Sequence, residues 1–240
     1  MRLTLVELKL LLRDPGAAFF TLAFPLILLV MNGAGEARKP IPELGGQRTI
    51  DVAAPMLTTM VVAILGLTSL PVLLAHYREI GVLKRMATTP VSPQRVLVAQ
   101  FAAHLLIAVA SLALVLGVGV ALFDMAPPKA PVSFAVGFAL GATALFALGF
   151  VLAALAPTAR SASAVGLGIF FPMLYLSGTM MPAEIMPDAL RRIGYWTPLS
   201  PVVRTLRETW AGEPLDLVRA AVLVAVIVVA GGTAARIFRW

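Results

Sequence analysis

The chain lacks cysteine and is poor in charge. Its 240 residues hold 12 acidic and 19 basic side chains, 13% of the total, and two histidines. A soluble domain carries about a quarter charged residues. Without cysteine there are no disulfides, no thiolate metal sites and no cysteine nucleophile. Its lysines are Lys9, Lys39, Lys84 and Lys129, and none follows a GxxxxG stretch. A Walker A loop, which cradles phosphates on backbone amides, is therefore missing, and the chain cannot be its own P-loop ATPase. No Asp, Glu, Lys or Arg sits well inside a long apolar run, where such groups mark proton relays and ion sites. Only His104 comes near, about two turns into an apolar segment, and it reads as a packed, hydrogen-bonded side chain. Proton-driven antiport and an intramembrane metalloprotease are both disfavoured. Tyr175-Leu176-Ser177-Gly178 is weakly similar to a serine-protease signature, but no histidine is placed as its base. Ser177 and Gly178 read instead as the end of a helix.

Apolar residues, by contrast, make up 60% of the chain, with a mean hydropathy of +0.93. The sequence predicts an all-α polytopic membrane protein, a single domain over residues 1–240. Six spans are expected: Gly16 to Met31, which is short against the ~20 residues a helix needs, then Val52 to Ala75, Val96 to Phe123, Val132 to Ala156, Ser161 to Met181 and Leu215 to Ile237. The net charge of +7 and pI near 10.6 would suggest nucleic acid in a soluble protein. Here the cations gather at span ends and membrane orientation accounts for them, so no nucleic-acid partner is expected. Residues 1–14 read as an interfacial helix. Arg2, Lys9 and Arg13 fall on one stripe that faces lipid phosphates, while leucines cover much of the rest. Phe19 to Val30 followed by Ala34 to Ala37 is also similar to a secretory leader. The segment before it is itself apolar and amphipathic, however, so no cleavage is expected.

The most informative stretch lies between the second and third spans, Tyr77 to Arg95, YREIGVLKRMATTPVSPQR. Wound as a helix, Tyr77 to Thr88 places Ile80, Val82, Leu83, Met86 and Ala87 on one face, and Tyr77, Arg78, Gly81, Lys84, Arg85 and Thr88 on the other. Glu79 falls within the apolar arc, where a carboxylate needs a cation or backbone donors. Thr89-Pro90 stops the helix, and Ser92-Pro93 caps the next. A plain basic loop that sets topology explains the charges. It explains less well a two-faced helix with an acid in its apolar side.

Six spans put both termini on one side. The short loops on the opposite side hold only Arg38, Lys39, Arg48 and Lys129 once the segment after Met181 is set aside, so cytoplasmic termini are favoured. Residues 182–212 hold Pro182, Pro187, Pro198 and Pro201 and apolar pieces too short to cross, the pattern of a re-entrant outer segment. Near it, Met180, Met181, Tyr195 and Trp196 form a candidate outer gate; plain interfacial anchoring by Tyr195 and Trp196 is the equal alternative. Gly137/Gly141, Ala162/Gly166 and Ala164/Gly168 repeat small residues at close-packing spacing, either within one subunit or at a dimer seam.

These residues look like the membrane subunit of an ABC exporter of the type-2 permease family, the branch typified by daunorubicin-exporter permeases. The most specific part is REIGVLKRMATTPVSPQRVLVAQ, Arg78 to Gln100, which resembles the family's stretch after the second span. LLRDP, Leu11 to Pro15, and the segment Ser177 to Arg207 add weaker likeness, with a departure at Thr197, where many members have asparagine. The resemblance implies six spans, a dimer formed with a second permease copy or paralogue, and a separate ABC ATPase dimer on the cytoplasmic side. It further implies that residues 77–89 form a coupling helix docking into that ATPase, which assigns coupling to Arg78, Glu79, Gly81, Val82, Leu83, Lys84, Arg85 and Met86. The expected function is ATP-driven export of an amphipathic drug-like, lipid-like or glycan substrate across a bacterial inner membrane, with no cofactor and no catalytic residue in this chain. An assembly or anchoring protein, or an ion-driven carrier or channel, are the alternatives; an ATPase that co-purifies and responds to this subunit separates them.

Overall fold

A computed structural model describes all residues except 1–3, 5–6, 10–12, 14, 35–39, 42–46, 83–92, 181–185 and 238–240. The described chain is almost wholly helical. After α1 (Pro15–Ala18) comes a π-helical turn, Phe19–Ala23, and then α2 (Phe24–Gly33). The three run on without a break for about 28 Å at the helical rise, close to the ~30 Å of a bilayer core. A two-residue antiparallel ladder follows, β1 (Pro40–Ile41) with β2 (Gln47–Arg48), pairing Pro40 with Arg48. This small clasp delivers the chain to the second span.

That span is α3 (Thr49–Ile64), a π-helical turn Leu65–Ser69 and α4 (Leu70–Glu79) in one continuous run. Then come α5 (Pro93–Phe123), α6 (Pro131–Leu155), α7 (Ala159–Leu176), α8 (Asp188–Tyr195), α9 (Leu199–Ala211) and α10 (Leu217–Ile237). Among the described residues five helices are long and apolar enough to cross a membrane, and Phe19–Gly33 is a shorter apolar sixth. The chain is thus an all-α polytopic membrane protein.

The second span is the axis of the bundle. Its most apolar window is 78% buried, against 17–50% in the other four. It contacts α2, α5, α6, α7 and α9. With so little surface left, its hydroxyls must find partners inside the chain, because lipid offers none. Thr58, Thr59 and Thr68 donate to the carbonyls of Ala54, Pro55 and Ile64, each four residues back. The π turn lets neighbouring backbones come very close. A Cβ at Gly149 would collide with the Gly66 carbonyl oxygen, and one at Gly166 with that of Leu67. The Gly137/Gly141 pair meets Thr205 and Val202 of α9. These small residues therefore pack within the subunit. Ala164 and Gly168 are exposed, and Gly168 has nothing near its missing Cβ.

At the end where the second span begins, charge pairs hold the turns. Arg48 donates to Asp51 Oδ2 at 2.8 Å and to the Asp124 carbonyl at 2.7 Å, and Asp51 Oδ1 accepts the Ala126 N–H at 3.1 Å. The Asp51 carboxylate raises the Arg48 pKa further. Next to it, the N–H groups of Lys129 and Ala130 donate to the carbonyls of Trp210 and Thr209, so the α5–α6 turn docks on the end of α9. Gly212, at φ 109°, ends α9 in the left-handed conformation that glycine takes without strain. The segment expected to be re-entrant is the helix pair α8 and α9, with α9 inserted against α3 and α6.

Candidate coupling site

The opposite end of the second span carries the stretch singled out above. The sequence reading starts a new helix at Tyr77. In the structure α4 instead runs unbroken to Glu79, so Tyr77, Arg78 and Glu79 are the last turn of the span. The helix stops at Ile80 and Gly81, with Gly81 at φ 70° and Val82 helical again just beyond it. The Ile80 N–H donates to the His76 carbonyl and the Gly81 N–H to the Arg78 carbonyl, both at 3.1 Å. A positive φ with no Cβ penalty is what lets the chain turn here. Leu83, Lys84, Arg85 and Met86 lie outside the described residues, so the rest of the expected 77–89 helix does too.

The charged side chains of this last turn reach the junction of α6 and α7. Arg78 is half-buried; its guanidinium donates to the Ala156 carbonyl at 3.3 Å and to the Ala153 carbonyl. Those carbonyls belong to the end of α6, where the last four have no helical partner. Glu79 Oε2 accepts the Ala159 N–H at 3.1 Å, at the first residue of α7. Thr158 meanwhile caps the same helix, its hydroxyl accepting the Ser161 N–H at 3.1 Å in a reciprocal capping box. Glu79 thus takes a donor that the cap leaves over. The electrostatics agree: a cation meets the negative end of one helix and an anion the positive end of the next. Two adjacent residues of opposite charge clamp both sides of the turn Ala156–Thr158.

Sequence reasoning placed Glu79 inside an apolar arc. In the structure it is exposed to solvent, because the helix that would have buried it ends at the same residue. Its backbone donor comes from this subunit's own helix end.

Tyr77 points another way. Its hydroxyl donates to Glu7 Oε2 at 2.7 Å, and Glu7 is only 5% exposed. The N-terminal segment is thereby tied to the end of the second span. Lys9 and Arg13, expected to face phosphates, are both exposed; Arg2 lies outside the described residues. Near Tyr77, Gln100 is fully buried. His104 is buried as well, its Nδ1 2.9 Å from the Gln100 carbonyl and its Nε2 3.4 Å from Ser69 Oγ. It is the packed, hydrogen-bonded histidine that the sequence suggests.

The residues of the expected outer gate sit at the other end. Met180 is 63% exposed, Tyr195 59% and Trp196 86%; Met181 lies outside the described residues. Tyr195 and Trp196 meet edge to face at 6.0 Å, and the Arg204 guanidinium lies 4.8 Å from the Tyr195 ring centre. These aromatics face outward rather than into the bundle. Met186, by contrast, is buried.

Sequence reasoning does not reach Glu7, the backbone partners that the α6–α7 turn offers Arg78 and Glu79, or the Arg48–Asp51 pair. An acid between Val6 and Leu8 in an apolar helix is the signal that marks Glu7. Asp51, in the first turn of a span, is placed where an anion is favoured. Nothing local marks Ala153, Ala156 or Ala159, because they act through backbone atoms.

No match was found among curated proteins. The family model described as ABC-2 type transporter matches residues 1–210, which takes in four of the five long apolar helices, the shorter apolar helix Phe19–Gly33, the Arg78–Glu79 turn and α8. With most of the chain matched and the all-helical membrane architecture in place, the protein belongs to the ABC-2 type transporter family.

Proposed function

We propose that this chain is the permease subunit of an ATP-driven exporter and that a separate ATPase dimer docks at the Tyr77 end. Family membership supports a membrane component of an ABC transporter with an ABC ATPase partner. The chain has no Walker A sequence. Energy must then enter through a contact. The observation that carries the reading is the clamp of Arg78 and Glu79 on the α6–α7 turn, just before the segment 83–92. A push on that segment moves the last turn of the central helix, and the clamp passes the motion to α6 and α7 together. Docking of different ATPase states then biases two arrangements of the bundle.

In this reading the Tyr77 end and both termini face the cytoplasm of a bacterial cell, and two permease chains form the pathway. The substrate is amphipathic, whether drug-like, lipid-like or glycan, and leaves past Met180, Met181, Tyr195 and Trp196. Purification of the full chain from its native membrane in mild detergent tests this. A vanadate-sensitive ATPase is expected to accompany it, and replacing Arg78 and Glu79 together with alanine is expected to lower transport per ATP hydrolysed. Recovery of the chain with no ATPase would contradict the proposal.

A further inference from the structure

The first two spans carry the same backbone feature. In each, a π-helical turn ends two residues before a proline: Phe19–Ala23 before Pro25, and Leu65–Ser69 before Pro71. The turn sends each backbone donor one residue further back. The Phe24 N–H goes to the Phe19 carbonyl and the Leu70 N–H to that of Leu65. Proline then offers no N–H at the next position. The carbonyls of Phe20 and Gly66 are therefore left without a helical donor, and those of Thr21 and Leu67 lose their α-helical one. Inside a bilayer such groups need partners from neighbouring helices.

The two spans meet this need differently. In the first, the buried Ser111 hydroxyl of α5 donates to the Thr21 carbonyl at 2.7 Å, in place of the N–H that Pro25 lacks. In the second, glycines stand in that position: Gly149 of α6 against the Gly66 carbonyl, and Gly166 of α7 against that of Leu67. Glycine lets the backbones approach but brings no side-chain donor. Among the described residues no side chain donates to either carbonyl. The first gap in the ladder is mended and the second is left open.

The open gap lies between two fixed ends. Arg48 and Asp51 hold the start of α3 to the α5–α6 turn. Arg78 and Glu79 hold the end of α4 to the α6–α7 turn. Two anchored arms with a break between them make a joint. We propose that the π turn Leu65–Ser69 is the joint about which α4 pivots against α3, carrying the Arg78–Glu79 turn with it, while Ser111 locks the matching turn of the first span. The glycine faces of α6 and α7 let the freed carbonyls slide, because no side chains interlock there. The joint belongs to this chain alone. Its test uses neither an ATPase nor transport, so its failure is distinct from failure of the exporter reading.

The experiment is amide hydrogen exchange of the full-length chain in lipid nanodiscs, read by mass spectrometry. Bending at the joint opens the Leu70 N–H bond, while the Ser111 hydroxyl keeps the Phe24 N–H closed. Amides of residues 65–70 should exchange about tenfold faster than those of residues 19–24, the worth of one backbone hydrogen bond. Pro71→Ala returns an N–H to the Leu67 carbonyl and should slow residues 65–70 by about the same factor, with residues 19–24 unchanged. Ser111→Ala should unlock the first turn and bring residues 19–24 up to the rate of residues 65–70. The comparison of the two turns in the unmutated protein stands even if a variant does not fold. Equal protection of the two turns in that protein, a Pro71→Ala variant whose residues 65–70 exchange as fast as before, or residues 19–24 that ignore Ser111→Ala would each overturn the proposal.

Discussion

Arg78 and Glu79 show how much two neighbouring side chains can organise. One meets backbone carbonyls at the end of α6 and the other a backbone amide at the start of α7. Helix-end charge interactions contribute typically 0.3–1 kcal/mol, rising to ~2 kcal/mol in partly buried geometry. Glu79 is exposed and screened, so Glu79→Gln should cost ~1 kcal/mol and lower coupling about fivefold. Arg78 is half-buried and serves two carbonyls; Arg78→Leu should cost ~2 kcal/mol. Transport per ATP hydrolysed in reconstituted complexes, at matched expression, measures both, with Gly168→Ala, which meets nothing, as the comparison that leaves the clamp intact. A second prediction concerns Tyr77. Tyr77→Phe removes the hydroxyl that satisfies the buried Glu7 carboxylate, at ~1–3 kcal/mol, and should free the N-terminal segment. Because the chain has no cysteine, a single cysteine at position 8 reports this directly: labelling should speed up in Tyr77→Phe and stay slow in the parent.

At the scale of elements, the glycines that face the π turn separate packing from mere flexibility. Gly149→Ala drives a methyl into the Gly66 carbonyl and should destabilise the bundle by ~1–3 kcal/mol, the usual cost of overpacking. Gly168→Ala meets nothing and should stay within about 0.5 kcal/mol of the parent. Thermal unfolding in detergent ranks the two, and equal midpoints would mean that α6 does not lie where the structure puts it. The spans themselves were legible in the sequence, since long apolar runs closed by proline and glycine leave little choice. Their ends were less so. Polarity alone ends the second span at Ala75, where polar residues begin, yet α4 continues to Glu79. In a sequence, charge marks exit from the bilayer, while here each charge finds the free end of a neighbouring helix. Such ends are backbone groups brought near by the tertiary fold, and no side-chain pattern announces them. The π turns were likewise invisible, because one extra residue in a uniformly apolar run leaves no mark on its periodicity.

For the whole molecule the account sets a direction. The Tyr77 turn, the α6–α7 turn and the start of α5 share one end; Arg48, Asp51, the α5–α6 turn and α8 share the other. With the first end in the cytoplasm, an impermeant thiol reagent applied to intact cells should label a cysteine placed at position 43 and spare one at position 85; the reverse would invert the orientation. The central claim is that a separate ATPase engages the segment just beyond the clamp. Cross-linking in native membranes tests it most directly, with a single cysteine at position 85 carrying a photoactivatable group. The account predicts a cross-linked product holding an ATP-binding protein, formed from position 85 and not from position 43. A product at position 43 alone, or an ATP-binding partner captured at neither position, would contradict it.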